Sequence, residues 1–116
     1  MVAFLITEIV DITLLLWDGD YNLNNVKILI DPDINGMFID EKFLKERLNT
    51  ISAAYCIENT PFEIPIQFSI PNKVLLHSFY CDIIPEKDFP VEFRNQGIKI
   101  ILGSPWVKVT QYPIKS

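Results

Sequence analysis

Ile28-Leu29-Ile30-Asp31-Pro32-Asp33-Ile34-Asn35-Gly36-Met37-Phe38-Ile39 is the stretch on which the reading of this chain turns. An apolar run ends at an aspartate, a tight non-apolar turn follows, and the apolar pair Phe38-Ile39 closes it. Val26 to Ile30 reads as a short strand, and its near-continuous apolar character predicts burial on both faces. Asp31-Pro32-Asp33 is turn chemistry: proline presets its own φ, and an aspartate side chain can accept backbone N–H bonds within the turn.

Upstream, Ile9 to Trp17 is rich in β-branched and large apolar residues and reads as a strand. Asp18-Gly19-Asp20 signals a turn, and Asn22 to Asn25 is expected to extend it as a loop. Downstream, Asp40 to Leu48 is the best helix candidate. Asp40 is a good N-cap, Ile39 and Leu44 sit at hydrophobic-staple spacing, and Phe43, Leu44 and Leu48 make a narrow apolar stripe. Phe62 to Ile70 alternates apolar and polar residues with period two, which predicts a strand with one buried face. Pro65 has no N–H for a ladder, so an edge position or a bulge is expected there. Pro71-Asn72 reads as a tight turn, with Val74 to Ile84 returning as the hairpin partner. Pro85 to Gln96 is polar and proline-containing, hence mostly loop. Ile98 to Leu102 is another buried strand, ended by Gly103. Pro105 suits the first turn of a short helix, and Tyr112 to Lys115 is a last short strand. Strands dominate, connections are short, and no internal repeat is visible.

Composition sets limits on function. The 116 residues suit a single domain spanning 1–116, and an apolar fraction of 49% is enough for a core. A formal charge of −5 argues against a nucleic-acid surface, which needs clustered Lys and Arg. The apolar N-terminus is interrupted by Glu8 and Asp11 and lacks a basic leader, so it reads as a strand rather than a signal peptide. No uncharged run approaches the ~20 residues of a membrane helix. Cys56, Cys81 and the single His77 do not form a zinc set, so neither a metal nor another cofactor is expected. Two reduced thiols in an intracellular protein, cytoplasmic or nuclear, is the expectation, with a disulfide left open.

In order and separation these pieces resemble the retropepsin-like aspartic proteases of gypsy-class retrotransposons and retroviruses. In that family a strand hairpin leads into an Asp-Thr/Ser-Gly loop. A strand follows, then a second hairpin, a buried apolar strand ending in Leu-Gly, and a short C-terminal helix. Leu29-Ile30-Asp31 stands where the loop begins, and Phe38-Ile39 falls at the family's spacing from it. Ile100-Ile101-Leu102-Gly103-Ser104-Pro105-Trp106-Val107 is similar to the segment that packs behind the catalytic loop. The resemblance spans residues 9 to 110. It implies a mainly β fold, a small closed or partly open barrel with one or two short helices. It also implies a dimer in which each chain supplies one aspartate.

The same resemblance marks three departures. The glycine expected two residues after the aspartate is Asp33, which adds a side chain and a second negative charge. Two such loops in a dimer would crowd four carboxylates, and like charges that close do not all ionise cheaply. Pro32 stands at the Thr/Ser position and brings neither a hydroxyl nor an N–H. The substrate-covering hairpin should lie between the helix and Phe62, but Asn49 to Pro61 holds no glycine and is short for two strands and a turn.

The expected function is therefore a non-catalytic, retropepsin-like domain, derived from a retrotransposon polyprotein, that binds a related protein or a second copy of itself. Asp31 is then a relic with a structural role in its turn. The candidate interface is the apolar ends and their neighbours: Phe4, Leu5, Ile6, Trp106, Tyr112 and Ile114. Two alternatives stand beside it, a dimeric aspartic protease using Asp31 and an unrelated small acidic β-rich adaptor or inhibitor. A ψ-shaped crossing of the Asp31 and Leu102-Gly103 segments separates the retropepsin-like readings from the unrelated one.

Overall fold

The computed structural model describes residues 6–16, 19–51, 63–69 and 76–110. Six strands form a closed barrel: β1 (Ile6–Leu16), β2 (Gly19–Ile30), β3 (Met37–Asp40), β4 (Glu63–Ser69), β5 (Leu76–Ile84) and β6 (Ile98–Leu102). Three helices accompany them, α1 (Glu41–Ile51), α2 (Val91–Asn95) and α3 (Ser104–Thr110). The order around the barrel is β1-β2-β6-β3-β5-β4. The fold is thus mainly β, a small closed barrel with short helices.

The main core draws side chains from all six strands, including Ile12, Leu14, Ile28, Ile30, Ile39, Ile66, Cys81, Ile100 and Leu102, and is closed by Phe43, Leu44 and Trp106 from α1 and α3. A second cluster joins Leu29, Phe89, Ile98 and Ile101. The near-continuous apolar end of β2 is explained by these two clusters. Ile28 and Ile30 enter the first while Leu29 enters the second, so both faces of the strand are covered. Each such side chain contributes about 1.5–3 kcal/mol by leaving water.

Several local expectations are corrected. Asn22 to Asn25 is not a loop but part of β2, which pairs with β1 from Gly19 to Ile30. The asparagines are tolerated because the register slips between Val10 and Ile12, and Asn25 takes up the irregularity at φ 58. The Asn25 N–H donates to Asp11 Oδ1 at 3.0 Å, and the Thr13 hydroxyl donates to Asn22 Oδ1 at 2.8 Å. β4 is not an edge strand, since it pairs with β5 and with β1. Its β1 ladder runs over Ile66 to Phe68, so Pro65 lies just outside the stretch paired on both sides. Pro85 to Gln96 is mostly loop, as expected, but holds the short helix α2, whose N-cap is Pro90 at φ −56. The helix expected from Asp40 runs Glu41–Ile51, with Asp40 as its cap: the Lys42 N–H donates to Asp40 Oδ1 at 3.1 Å. The Pro71-Asn72 turn and the Tyr112 to Lys115 strand lie outside the described residues.

A two-fold relation organises the barrel that no repeat in the sequence announces. Exchanging β1, β2 and β3 with β4, β5 and β6 leaves the strand order unchanged. The register obeys the same exchange. The parallel pairs Ile30–Leu102, Leu29–Ile101 and Ile28–Ile100 correspond to Ile84–Asp40, Ile83–Ile39 and Asp82–Phe38. The antiparallel pairs Phe38–Ile101 and Ile39–Ile100 interchange, and Ile12–Phe68 maps onto itself.

β6 lies between β2 and β3, so the 31–36 turn that joins those two strands must step over the C-terminal end of β6. This is a ψ-shaped crossing. By the same exchange β3 lies between β6 and β5, and residues 85–97 make the second crossing at the other end of the β3–β6 ladder. Each crossing ends on a glycine at positive φ immediately before its strand, Gly36 at φ 150 and Gly97 at φ 80.

The first crossing depends on Gly103. Its N–H donates to the Gly36 carbonyl at 2.8 Å, and the Ser104 N–H donates to the Ile34 carbonyl at 2.7 Å. A Cβ at position 103 would run into those same two carbonyl oxygens, which are backbone and cannot swing aside. Gly103→Ala is expected to lower stability by about 2–3 kcal/mol, the cost of overpacking against rigid backbone. Urea denaturation checks this; a variant as stable as the parent would show that the close approach is not a constraint.

Candidate functional site

The 31–36 turn is the place to look for chemistry, because it carries Asp31 and lies where two backbone segments converge. Asp31 follows directly on β2 and is half-buried, while Pro32, Asp33 and Asn35 are exposed. Its N–H donates to the Leu102 carbonyl at 3.0 Å, which extends the β2–β6 ladder by one bond. Its carbonyl accepts the Ile34 N–H at 3.2 Å, and its Oδ1 accepts the Asp33 N–H at 2.9 Å. The side chain thus closes an Asx turn on its own loop, the structural role open to a turn aspartate.

Aspartic proteolysis needs two carboxylates around one water, sharing a proton. This chain brings Asp31 to the crossing, with one carboxylate oxygen committed to the turn. Asp33 follows on the exposed side of the same turn and adds charge there. Pro32 supplies no N–H and no hydroxyl with which to brace a second loop. Of the stretch in which a covering hairpin was sought, Asn49 to Ile51 belong to α1, and Ser52 to Pro61 lie outside the described residues.

The interface candidates fall in different places. Trp106 is 4% exposed and belongs to the main core, so its ring has little surface to offer a partner. Ile6 is half-buried, packs against the core and pairs with Ile30. Phe4, Leu5, Tyr112 and Ile114 lie outside the described residues, as does Trp17. His77 is in β5, opposite Phe68 of β4. Cys81 is fully buried in the core; burial first, and the neighbouring Asp82 second, push its thiol far above the usual range, so it stays protonated and unreactive. Cys56 lies outside the described residues.

The second crossing holds an ion pair that sequence reasoning missed. Asp40 is 1% exposed, and Arg94 of α2 reaches it with two bonds, Nε to Oδ2 at 3.2 Å and Nη2 to Oδ1 at 3.0 Å. The same Nη2 donates to the Glu86 carbonyl at 2.9 Å, and the guanidinium sits 5.4 Å from the centre of the Phe89 ring. The bond to Asp40 holds the guanidinium proton more tightly than usual, raising the Arg94 pKa against a smaller opposing desolvation. Arg94 also borders a shallow depression lined by Glu86, Asp88, Phe89 and Val91. Its Nε and Nη2 donors are turned to Asp40 and Glu86. The N-cap signal at Asp40 was legible, but 54 residues separate it from Arg94 and no local pattern joins them.

Among the described residues no group of His, Cys, Asp and Glu is arranged to hold a metal ion, and no helix is long and apolar enough to cross a membrane. No protein-family model matches the chain, and no curated protein matches it at a significant level.

The turn role of Asp31 makes a testable distinction. Asp31→Asn keeps the Oδ1 acceptor, so its stability is expected to stay within about 0.5 kcal/mol of the parent. Asp31→Ala removes that acceptor and is expected to cost about 1 kcal/mol, the net worth of one such bond. Thermal and urea unfolding of the two variants check this; equal losses in both would show that the charge, not the turn bond, is what Asp31 supplies.

Proposed function

We propose that this chain is a non-catalytic, retropepsin-like domain that acts by binding protein, a second copy of itself or a related chain. The observation that carries the reading is the ψ-shaped crossing of 31–36 over Leu102-Gly103, together with what occupies it. The crossing favours a retropepsin-like scaffold over an unrelated adaptor, since the turn and the Leu-Gly strand end meet as that fold requires. Within it, the Asp31 carboxylate closes its own turn, Pro32 replaces a donor and Asp33 replaces a glycine. A scaffold kept intact around a disabled loop is what a binding role leaves behind. Descent from a retrotransposon polyprotein is part of the same reading and rests on the resemblance alone, while an intracellular location rests on reading Cys56 and Cys81 as reduced thiols.

The opposing reading is a dimeric protease using Asp31, and one experiment divides the two. Apolar peptides incubated with the concentrated protein between acid and neutral pH are expected to stay intact. Cleavage that is present in the parent and disappears in Asp31→Asn would overturn the non-catalytic reading. Asp31→Asn is a clean control because it keeps the turn acceptor.

A further inference from the structure

We infer that the partner this chain fits is a second copy of itself, taken up by exchanging halves: residues 6–51 of one chain pair with residues 63–110 of the other, and reciprocally. The inference rests on the self-association reading above and names the surface it would use. β3 and β6 are decisive, because neither has a ladder partner in its own half. β3 pairs with β5 and β6, and β6 pairs with β2 and β3. The bonds that set both crossings also run between halves: Asp31 to Leu102, Gly103 to Gly36, Ser104 to Ile34, and Arg94 to Asp40. The Lys27 ammonium donates to the Gln96 carbonyl across the same divide at 2.9 Å. Each half is therefore a two-stranded hairpin with a third strand unpaired, and its complement is the other half.

The two-fold register makes that complement selective. In an assembly of two N-terminal halves, β3 of one would replace β6, and Glu41 would fall at the place of Gly103. Its Cβ would then meet the Ile34 and Gly36 carbonyls. In an assembly of two C-terminal halves, Leu102 would fall at the place of Asp40, and Arg94 would lose its carboxylate. N-terminal with C-terminal is the pairing without either defect, whether the halves belong to one chain or to two. The 11 residues of 52–62 join them. A chain of that length reaches at most about 36–40 Å, against molecular extents of 45 × 30 × 21 Å. Closed and exchanged forms make the same contacts, so the balance is set by protein concentration against the effective concentration of tethered halves, on the order of mM.

A cross-link reads the exchange directly. Thr13 and Gln67 are directly opposed on β1 and β4, one in each half, and both are partly exposed. T13C/Q67C on a Cys56→Ser background, refolded across a concentration series up to about 1 mM and then oxidised, is run without reductant, and the joined peptides are identified by mass. The expected result is a disulfide between positions 13 and 67 of different chains, in a covalent dimer whose fraction falls about tenfold or more when refolding is done a hundredfold more dilute. Only intrachain disulfide, in samples that light scattering of the parent shows to be dimeric, overturns the exchange while leaving self-association through another face. A parent that scatters as a monomer throughout overturns both. Should T13C/Q67C fail to fold, full-length Gly103→Val and Ile28→Asp chains, each damaged in a different half, are refolded separately and together. Recovery of β-sheet circular dichroism only in the mixture supports the exchange, and no recovery overturns it.

Discussion

Three backbone hydrogen bonds hold the 31–36 turn against the end of β6: Asp31 N–H to Leu102, Gly103 N–H to Gly36 and Ser104 N–H to Ile34. They are made only if the turn comes close enough for its carbonyls to occupy the space of a side chain at position 103. That closeness lets β6 run between β2 and β3, and only with β6 there does the sheet close and bury Ile28, Ile30, Ile100 and Leu102. Unmet backbone groups at such a buried junction would each cost about 1–3 kcal/mol. The crossing and the core therefore depend on each other.

The two crossings solve the same topological problem with different chemistry. At the first, backbone meets backbone over a glycine, and α3 starts directly after it at Ser104. At the second, a buried carboxylate caps α1 and is gripped by Arg94, which also fastens Glu86 of the crossing segment. A bidentate arginine suits this position because its planar fork satisfies both carboxylate oxygens at once. The symmetric register thus carries unsymmetric contacts, and those contacts fix which half pairs with which. At Asp31, one carboxylate oxygen, Oδ1, accepts the Asp33 N–H within a turn whose geometry the barrel needs.

The barrel was legible where burial leaves a local pattern. The near-continuous apolar run 26–30, broken only by Lys27, announced coverage on both faces, and Ile39-Asp40 announced the start of α1. Gly103 was legible only as the end of an apolar strand; the carbonyls it admits come from Ile34 and Gly36, far earlier in the chain, and needed the fold to be seen. Legibility failed where long-range pairing overrides local preference. The asparagines of 22–25 favour a loop by themselves, but the ladder to β1 carries them as strand and uses Asn25 to absorb a slip in register. Pro90 and Arg94 sit in a stretch whose polarity reads as loop, and α2 is held by a partner on another element. The two-fold relation resides in pairing and order rather than in residue identities, so no repeat was there to be seen. For the site, the residues of the turn were readable from the outset, whereas the bond that occupies Asp31 needed the fold.

The crossing's place at the centre of stability is tested most directly by native-state hydrogen exchange. The expected result is that the amides of Asp31, Gly103 and Ser104 exchange as slowly as those of Ile28 and Ile100 in the core, opening only with global unfolding. Exchange of those three amides orders of magnitude faster than the core strands would contradict it, and would show that the barrel stands without its crossing.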